Sequence, residues 1–364
     1  VGFRRPRGRS LRQPHISLDP RVRTNRSMMP RRPRNPGPAA CPASAPGGSG
    51  AGRVGAALAL LLSGLLASGC SIRSMAVSSL ADSLASAGTV YASDEDPELV
   101  RDALPFALKT YESLLVEAPR HRGLLLAACS GFTQYARAFV EGDALYVEAE
   151  DWDEAERLRD RALALYLRGR DYCLRALEIV EPGIGERLRL TPDEAAAALG
   201  EEDLDLLYWT GAAWGAAISV GLDRPDLVID LPAVQGLMRR GLALDEAWED
   251  GAIHEVMISL ESLPEAMGGS PERARRHFER AVELSEGNSV GPYVSLAVSL
   301  HVPRGDRDAF VDLLEKALEV DLDAAPDSRL ANTLAQRHAG FLLEHVDDYF
   351  LPADEPAADE GGAR

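Results

Sequence analysis

Little in this chain of 364 residues points to chemistry. It has no Gly-rich phosphate loop followed by Lys: "GGSGAG" at 47–52 stands in an Arg- and Pro-rich leader and follows no strand pattern. It has no G-x-S-x-G elbow and no nucleophile set beside a base. Its seven histidines lack metal-ligand spacing. His338 and His345 stand seven apart on an expected helix with no third ligand nearby, so they read as solvated or rim residues. No stretch of strand length alternates apolar with polar residues, and "DLVIDL" (226–231) is the one β-like run. No catalytic residue, metal set or cofactor is therefore nominated. After residue 70 no apolar run reaches the 18 or more residues of a spanning helix.

Cysteine is scarce, and one of the four has an unusual setting. In "LLASGCSIRS" Cys70 follows an apolar run, Val54 to Leu66, and the small residues Ala67, Ser68 and Gly69. Arginines precede the run at Arg31, Arg32, Arg34 and Arg53. This order is that of a secretory signal peptide. Residues 1–27, ahead of Met28 and Met29, read as an over-extended gene start. The small triplet before Cys70 resembles the lipobox of bacterial lipoproteins, with Ala67 where that pattern prefers Leu. The resemblance implies cleavage before Cys70 and lipidation there, which would hold the chain in the periplasm on a membrane. Ser71, rather than Asp, after the cysteine favours the outer membrane.

Charge agrees with an extracytoplasmic surface protein that avoids nucleic acid. The first 69 residues carry twelve Arg against one Asp, so the remaining 295 carry a net charge near −29 of the chain's −18. Such a surface repels polyanions and gives no long-range steering to anionic solutes. Cys129 and Cys173 lie inside apolar helical stretches. They read first as buried thiols, with a disulfide as the alternative that an oxidising compartment permits.

What is present is helix after helix. "SDEDPEL" offers Asp96 as N-cap before Pro97, "LTPDEA" offers Thr191 and Glu194 as a capping box, and "GSPER" offers Ser270 before Pro271. "EPG" (181–183) and "EGN" (286–288) are stop signals. A worn repeat recurs in "KTYESLLVEAP" (109–119), "DYCLRALEIV" (171–180), "GLMRRGLALD" (236–245), "HFERAVELS" (277–285) and "LLEKALEVD" (313–321). Gly241 and Ala281 stand 40 apart, and Ala281 and Ala317 stand 36 apart. Such spacing marks tetratricopeptide-like helix pairs, although unrelated amphipathic helices remain the alternative. The expected fold is all-α, a superhelical array of degenerate tetratricopeptide-like pairs. It would comprise a removed or disordered segment 1–69, one helical domain 70–350 and a disordered acidic tail 351–364.

Two stretches combine aromatic and small residues. Phe132, Tyr135 and Phe139 share a helical face, while Gly211 and Gly215 form a strip flanked by Tyr208, Trp209 and Trp214. Glycine inside a helix costs up to ~1 kcal/mol, which close helix packing or room for a ligand would offset. Both readings stand: ordinary packing, or the wall of an apolar cleft or channel formed by these eight residues.

Several long stretches carry a family resemblance. From Cys70 through "YWTGAAWGAAISV", "LDEAWEDGAIHEVMISLESLPEAMGGSPERARRHFERAVELS" and "LANTLAQRHAGFLLEHVDDYF", the chain resembles the T component of tetratricopeptide-associated TRAP transporters, the TatT lipoproteins. The resemblance implies no chemistry, a ring-like homo-oligomer (a trimer), and a complex with the periplasmic solute-binding P component. The alternative is a scaffold for envelope assembly that takes no part in transport.

Overall fold

The computed structural model describes residues 88–350, and the expectations about Cys70, the leader and the acidic tail lie outside that range. Among the described residues every regular element is helical. In chain order these are α1 (Gly88–Ala92), α2 (Pro97–Glu117), α3 (Arg122–Tyr135), a π-helical segment (Ala136–Glu141), α4 (Gly142–Val147) and α5 (Trp152–Val180). There follow α6 (Ile184–Leu190), α7 (Pro192–Ala196), α8 (Leu204–Val220), α9 (Pro225–Val228), α10 (Leu231–Leu244) and α11 (Ala252–Glu261). The last are α12 (Pro271–Leu284), α13 (Gly291–Leu296), a second π-helical segment (Ala297–His301), α14 (Arg307–Glu319), α15 (Arg329–Glu344) and α16 (Val346–Tyr349).

Local signals explain most boundaries. The Asp96 carboxylate accepts from the Leu99 N–H at 3.0 Å, with Pro97 at the first helical position. Replacing Asp96 by Ala is expected to lower stability by ~1 kcal/mol, the usual worth of an N-cap, read as a small shift of the urea midpoint. Ser270 caps α12 in the same way, accepting from Arg273 N–H at 3.4 Å. Gly183 and Gly287 take positive φ (80° and 77°) just past α5 and α12, where the two stop signals stand. One expectation fails. Thr191 makes no side-chain cap bond, because its φ of −139° with ψ of 68° also ends α6, and one residue serves both helices without a linker. The short β-like run "DLVIDL" is largely helical, in keeping with the all-α expectation: Pro225 nucleates the short α9 across its start, and Leu231 opens α10.

Packing follows the heptad-like apolar faces. Helix α5 lies against α3 and α8, α8 against α10, α11 against α12, and α14 against α15. The repeated small residues sit at these contacts: Ala176, Gly241, Ala281 and Ala317 are all buried. Two apolar cores result. One gathers side chains from α2 to α11, among them Leu124, Tyr166, Trp214 and Met238. The other gathers Phe310, Leu314, Val290 and Leu342 from the C-terminal helices. Helix α11 serves both, with Ile253 and Met257 in the first core and Ile258 in the second.

Cys129 and Cys173 are joined, with their Cα atoms 5.4 Å apart, so the favoured reading as separate buried thiols is corrected. The physical reason is how closely α3 and α5 approach. Gly169 on α5 lies so near α3 that a Cβ there would stand 2.8 Å from Thr133 Oγ1 and 3.0 Å from the Cys129 carbonyl oxygen. Four residues on, the same close approach brings the two sulfurs together.

The two ends of the described chain also meet. Helix α15 packs on α1 and α2. Arg337 pairs with Glu98 at 2.6 Å, Arg329 with Glu95 at 2.9 Å, and Phe341 lies edge-on to Tyr146 of α4 with centroids 4.9 Å apart. The path of helix contacts from α2 through α3, α5, α8, α10, α11 and α13 to α15 is therefore closed.

Candidate functional site

The eight aromatic and small residues singled out above fall into two groups. Phe132, Phe139, Gly211 and Trp214 are buried; Tyr135, Tyr208, Trp209 and Gly215 are partly exposed. Gly211 and Gly215 lie at the contact of α8 with α10. A Cβ on Gly211 would stand 2.1 Å from the Met238 Cε, and one on Gly215 would stand 3.3 Å from a Val234 methyl. The small strip thus serves helix packing. Trp214 is enclosed in the first core, with the Arg170 and Arg189 guanidinium carbons 5.5 and 5.2 Å from its ring centre. Phe132 stacks on Tyr172 and lies under Arg168, while Phe139 lies under Arg101.

Tyr135 lies against Phe139, while Tyr208 and Trp209 belong to a separate cluster. Tyr208 touches Trp209 edge-on at 5.1 Å between centroids and Trp248 at 4.5 Å. Trp248 donates its indole N–H to Asp205 at 3.1 Å. Beside it an open hollow of about 470 Å³ is lined by Glu201, Leu204, Asp205, Leu244, Asp245 and Trp248.

Sequence reading overlooked a set of polar groups near Tyr208. Arg137 and Glu141 stand on the first π-helical segment, paired at 2.7 Å, and the Tyr166 hydroxyl also donates to Glu141. Glu141 holds the Arg137 guanidinium charged, and burial beside the same carboxylate raises the Tyr166 phenol well above its ordinary value. Glu255 on α11 accepts from Ser295 Oγ at 3.3 Å; burial raises its carboxyl above the usual range, and Arg137 opposes the shift. Tyr208 is raised by burial and then by Glu255. His338 is not a solvated rim residue. It is partly buried, and burial followed by the charge of Arg137 brings it down to about 4. His345 instead stacks on Phe341 with ring centres 4.1 Å apart. The signals in sequence were slight: Arg137 alone inside "YARAFV", and Glu255 alone inside "AIHEVMISL".

A second titratable pair lies between α11 and α12. His254 and His277 approach to 2.8 Å between their Nδ1 atoms, so the two rings share one proton. The His254 Nε2 faces Glu246 at 3.6 Å, beyond hydrogen-bond reach. Burial and the neighbouring His254 hold His277 down to about 4. The unfolded chain therefore takes up a proton near pH 6.5 that the folded His277 refuses until about pH 4. Stability from this group is full above pH 6.5 and is lost as pH falls toward 4. Thermal unfolding of the wild type should lose more between pH 7 and 4.5 than that of His277→Gln. Equal losses would remove the pair as the cause.

Among the described residues no group of three His, Cys, Asp or Glu side chains is placed to hold a metal ion. No described helix is long and apolar enough to cross a membrane.

Comparison with known proteins adds what the geometry lacks. Residues 93–350 match a family model described as TRAP transporter T-component. The chain is also 31% identical over 311 residues to an uncharacterized protein of Treponema pallidum (strain Nichols), covering 79% of this chain and 95% of that one.

Proposed function

Because the chain belongs to the TRAP transporter T-component family, we propose that it is the periplasmic, lipid-anchored member of a TRAP-type transport system, that it docks the solute-binding P component, and that it offers that component's solute a cleft. The observation that carries this reading is the family match, which spans nearly all the described helices. The signal-like leader and Cys70 support anchoring at a membrane, with the outer one favoured. The buried small residues at Gly241, Ala281 and Ala317 support tetratricopeptide-like pairing, a fold that presents extended surfaces to partners. On this reading the cleft is lined by the partly exposed aromatics Tyr135, Tyr208 and Trp209, with Phe132, Phe139, Gly211, Trp214 and Gly215 as its supporting wall. A homotrimer is part of the same proposal.

Tethering both partners' meeting to one membrane face raises their effective concentration, so micromolar affinity suffices. The acidic surface predicts a basic receptor face and binding that weakens with salt. Analytical ultracentrifugation of the delipidated chain, alone and with its cognate receptor, should show an oligomer and a complex that loosens between 50 and 500 mM salt, concentrations of order a Debye length of ~14 down to ~4 Å. A monomer that binds no receptor at either salt would refute the docking role and favour the scaffold reading.

A further inference from the structure

The hollow of about 470 Å³ beside Trp248 is half apolar and half anionic. Its apolar wall is Leu204, Leu244 and Trp248, and its carboxylates are Glu201, Asp205 and Asp245. Two short stretches meet here, "GEEDLD" (200–205) running into α8 and "DEAWED" (245–250) following α10, and neither holds a Lys or Arg. Asp203 pairs with Arg122 at 2.8 Å, and Glu246 pairs with Arg280 at 2.5 Å. The three carboxylates of the hollow pair with no cationic side chain among the described residues; Asp205 accepts from the Trp248 indole N–H and Asp245 from the Ala247 N–H at 2.9 Å. The Glu249 carboxyl, next in the chain to Trp248, is raised by burial and then by Asp205 and Asp250, so like charges here repel without relief.

Three contacts fix the indole. Its N–H is spent on Asp205, and its ring centre lies 4.5 Å from that of Tyr208. The turn Trp248–Gly251 is seated on α12, where a Cβ on Gly251 would stand 3.1 Å from Leu284 Cδ1. With its one donor used, Trp248 offers a ligand only its ring surface.

We propose that this hollow binds a linear polyamine, its ammonium groups on Glu201, Asp205 and Asp245 and its methylene links on Trp248, Leu204 and Leu244. The inference goes beyond the docking reading and stands without it. Carboxylates interspersed with apolar residues match a ligand in which ammonium groups alternate with short hydrocarbon stems. An ammonium is drawn to an indole face as well as to a carboxylate. Each exposed charge pair is weak by itself, but linking several cations in one chain makes every contact after the first intramolecular. A metal ion fits less well. No group of three His, Cys, Asp or Glu among the described residues is placed to hold one, and half the wall offers no oxygen.

The test is isothermal titration calorimetry of the delipidated chain with spermidine, against butylamine as a single cation and Mg²⁺ as a compact one, at constant ionic strength. Spermidine should bind tenfold or more tightly than butylamine, and excess Mg²⁺ should not displace it. Asp205→Asn and Asp245→Asn each keep an acceptor for the local N–H and should weaken spermidine fivefold or more. Asp102→Asn, which removes the same charge from α2 outside the hollow, should change binding less than twofold. Trp248→Leu should weaken spermidine tenfold, and Trp248→Phe, which keeps an aromatic ring, should retain most of the affinity. If Trp248→Leu loses helicity by circular dichroism, the two Asn variants decide the matter. Displacement by Mg²⁺, or equal weakening by Asp102→Asn and Asp205→Asn, would mean a diffuse counterion effect and overturns the inference. Wild-type protein that binds no spermidine overturns it as well. No receptor is present in the titration, so the docking reading can fail without touching this one.

Discussion

Trp214→Ala is expected to lower unfolding stability by about 3–5 kcal/mol, the range for emptying a large buried aromatic site. Trp214 is fully enclosed where α8 meets α5 and α10. Its ring lies between two guanidinium groups, Arg170 and Arg189, and each contact adds ~0.5–1 kcal/mol or more when shielded from water. Arg189 is itself held by Asp230 at 3.2 Å, so the cavity would also loosen an ion pair. The indole N–H finds no acceptor among the described residues. Trp214→Phe should therefore lose no hydrogen bond and cost less than the alanine variant. Urea unfolding followed by circular dichroism gives the ordering wild type, Phe, Ala. An alanine variant within ~1 kcal/mol of wild type would mean that the side chain faces an already hollow space, and would return Trp214 to the cleft wall.

Opening the Cys129–Cys173 bond should cost almost as much. The bridge closes a span of 44 residues, and loop-closure entropy for that length gives about 4 kcal/mol. Both sulfurs are buried in the first core. A Cys129→Ala, Cys173→Ala double variant keeps the packing nearly intact while freeing the unfolded chain. It isolates the cross-link better than reduction, which leaves two thiols in place. The expected result is a markedly lower urea midpoint with unchanged helicity in the absence of urea. A difference below ~1 kcal/mol would show that the unfolded chain already holds α3 and α5 together. The bond also bears on location, because such bridges persist in oxidising compartments. This agrees with the periplasmic site proposed from the leader.

Much of the helical content was legible because its signals are local. Asp96, Ser270, Gly183 and Gly287 act within one turn of themselves, and each stands where the chain starts or stops a helix. The all-helical class followed from the missing alternation. The small strip at Gly211 and Gly215 was legible as a feature but not as to its use, since only the partner helix decides whether a glycine makes room for a ligand or for Met238. The disulfide was open for the same reason: pairing depends on the approach of α3 to α5, and the clue, Gly169, is informative only once its neighbour is known. The two π-helical segments were not legible, since such turns leave no periodic trace in sequence.

The meeting of α15 with α1 and α2 has a kinetic side. In an open array each repeat leans on its neighbours alone, and the ends fray independently. Here Glu98 and Arg337 are 239 residues apart in sequence, so their contact is among the last that a folding chain can make. The seam includes two surface ion pairs and one aromatic edge, and exposed pairs contribute only ~0–1 kcal/mol each. It is expected to open before either core does. Amide hydrogens of α15 and of the first turns of α2 should exchange together, faster than those of α5 and α8, and faster still as salt rises. Ionic strength thus sets how firmly the two ends of the chain are latched together.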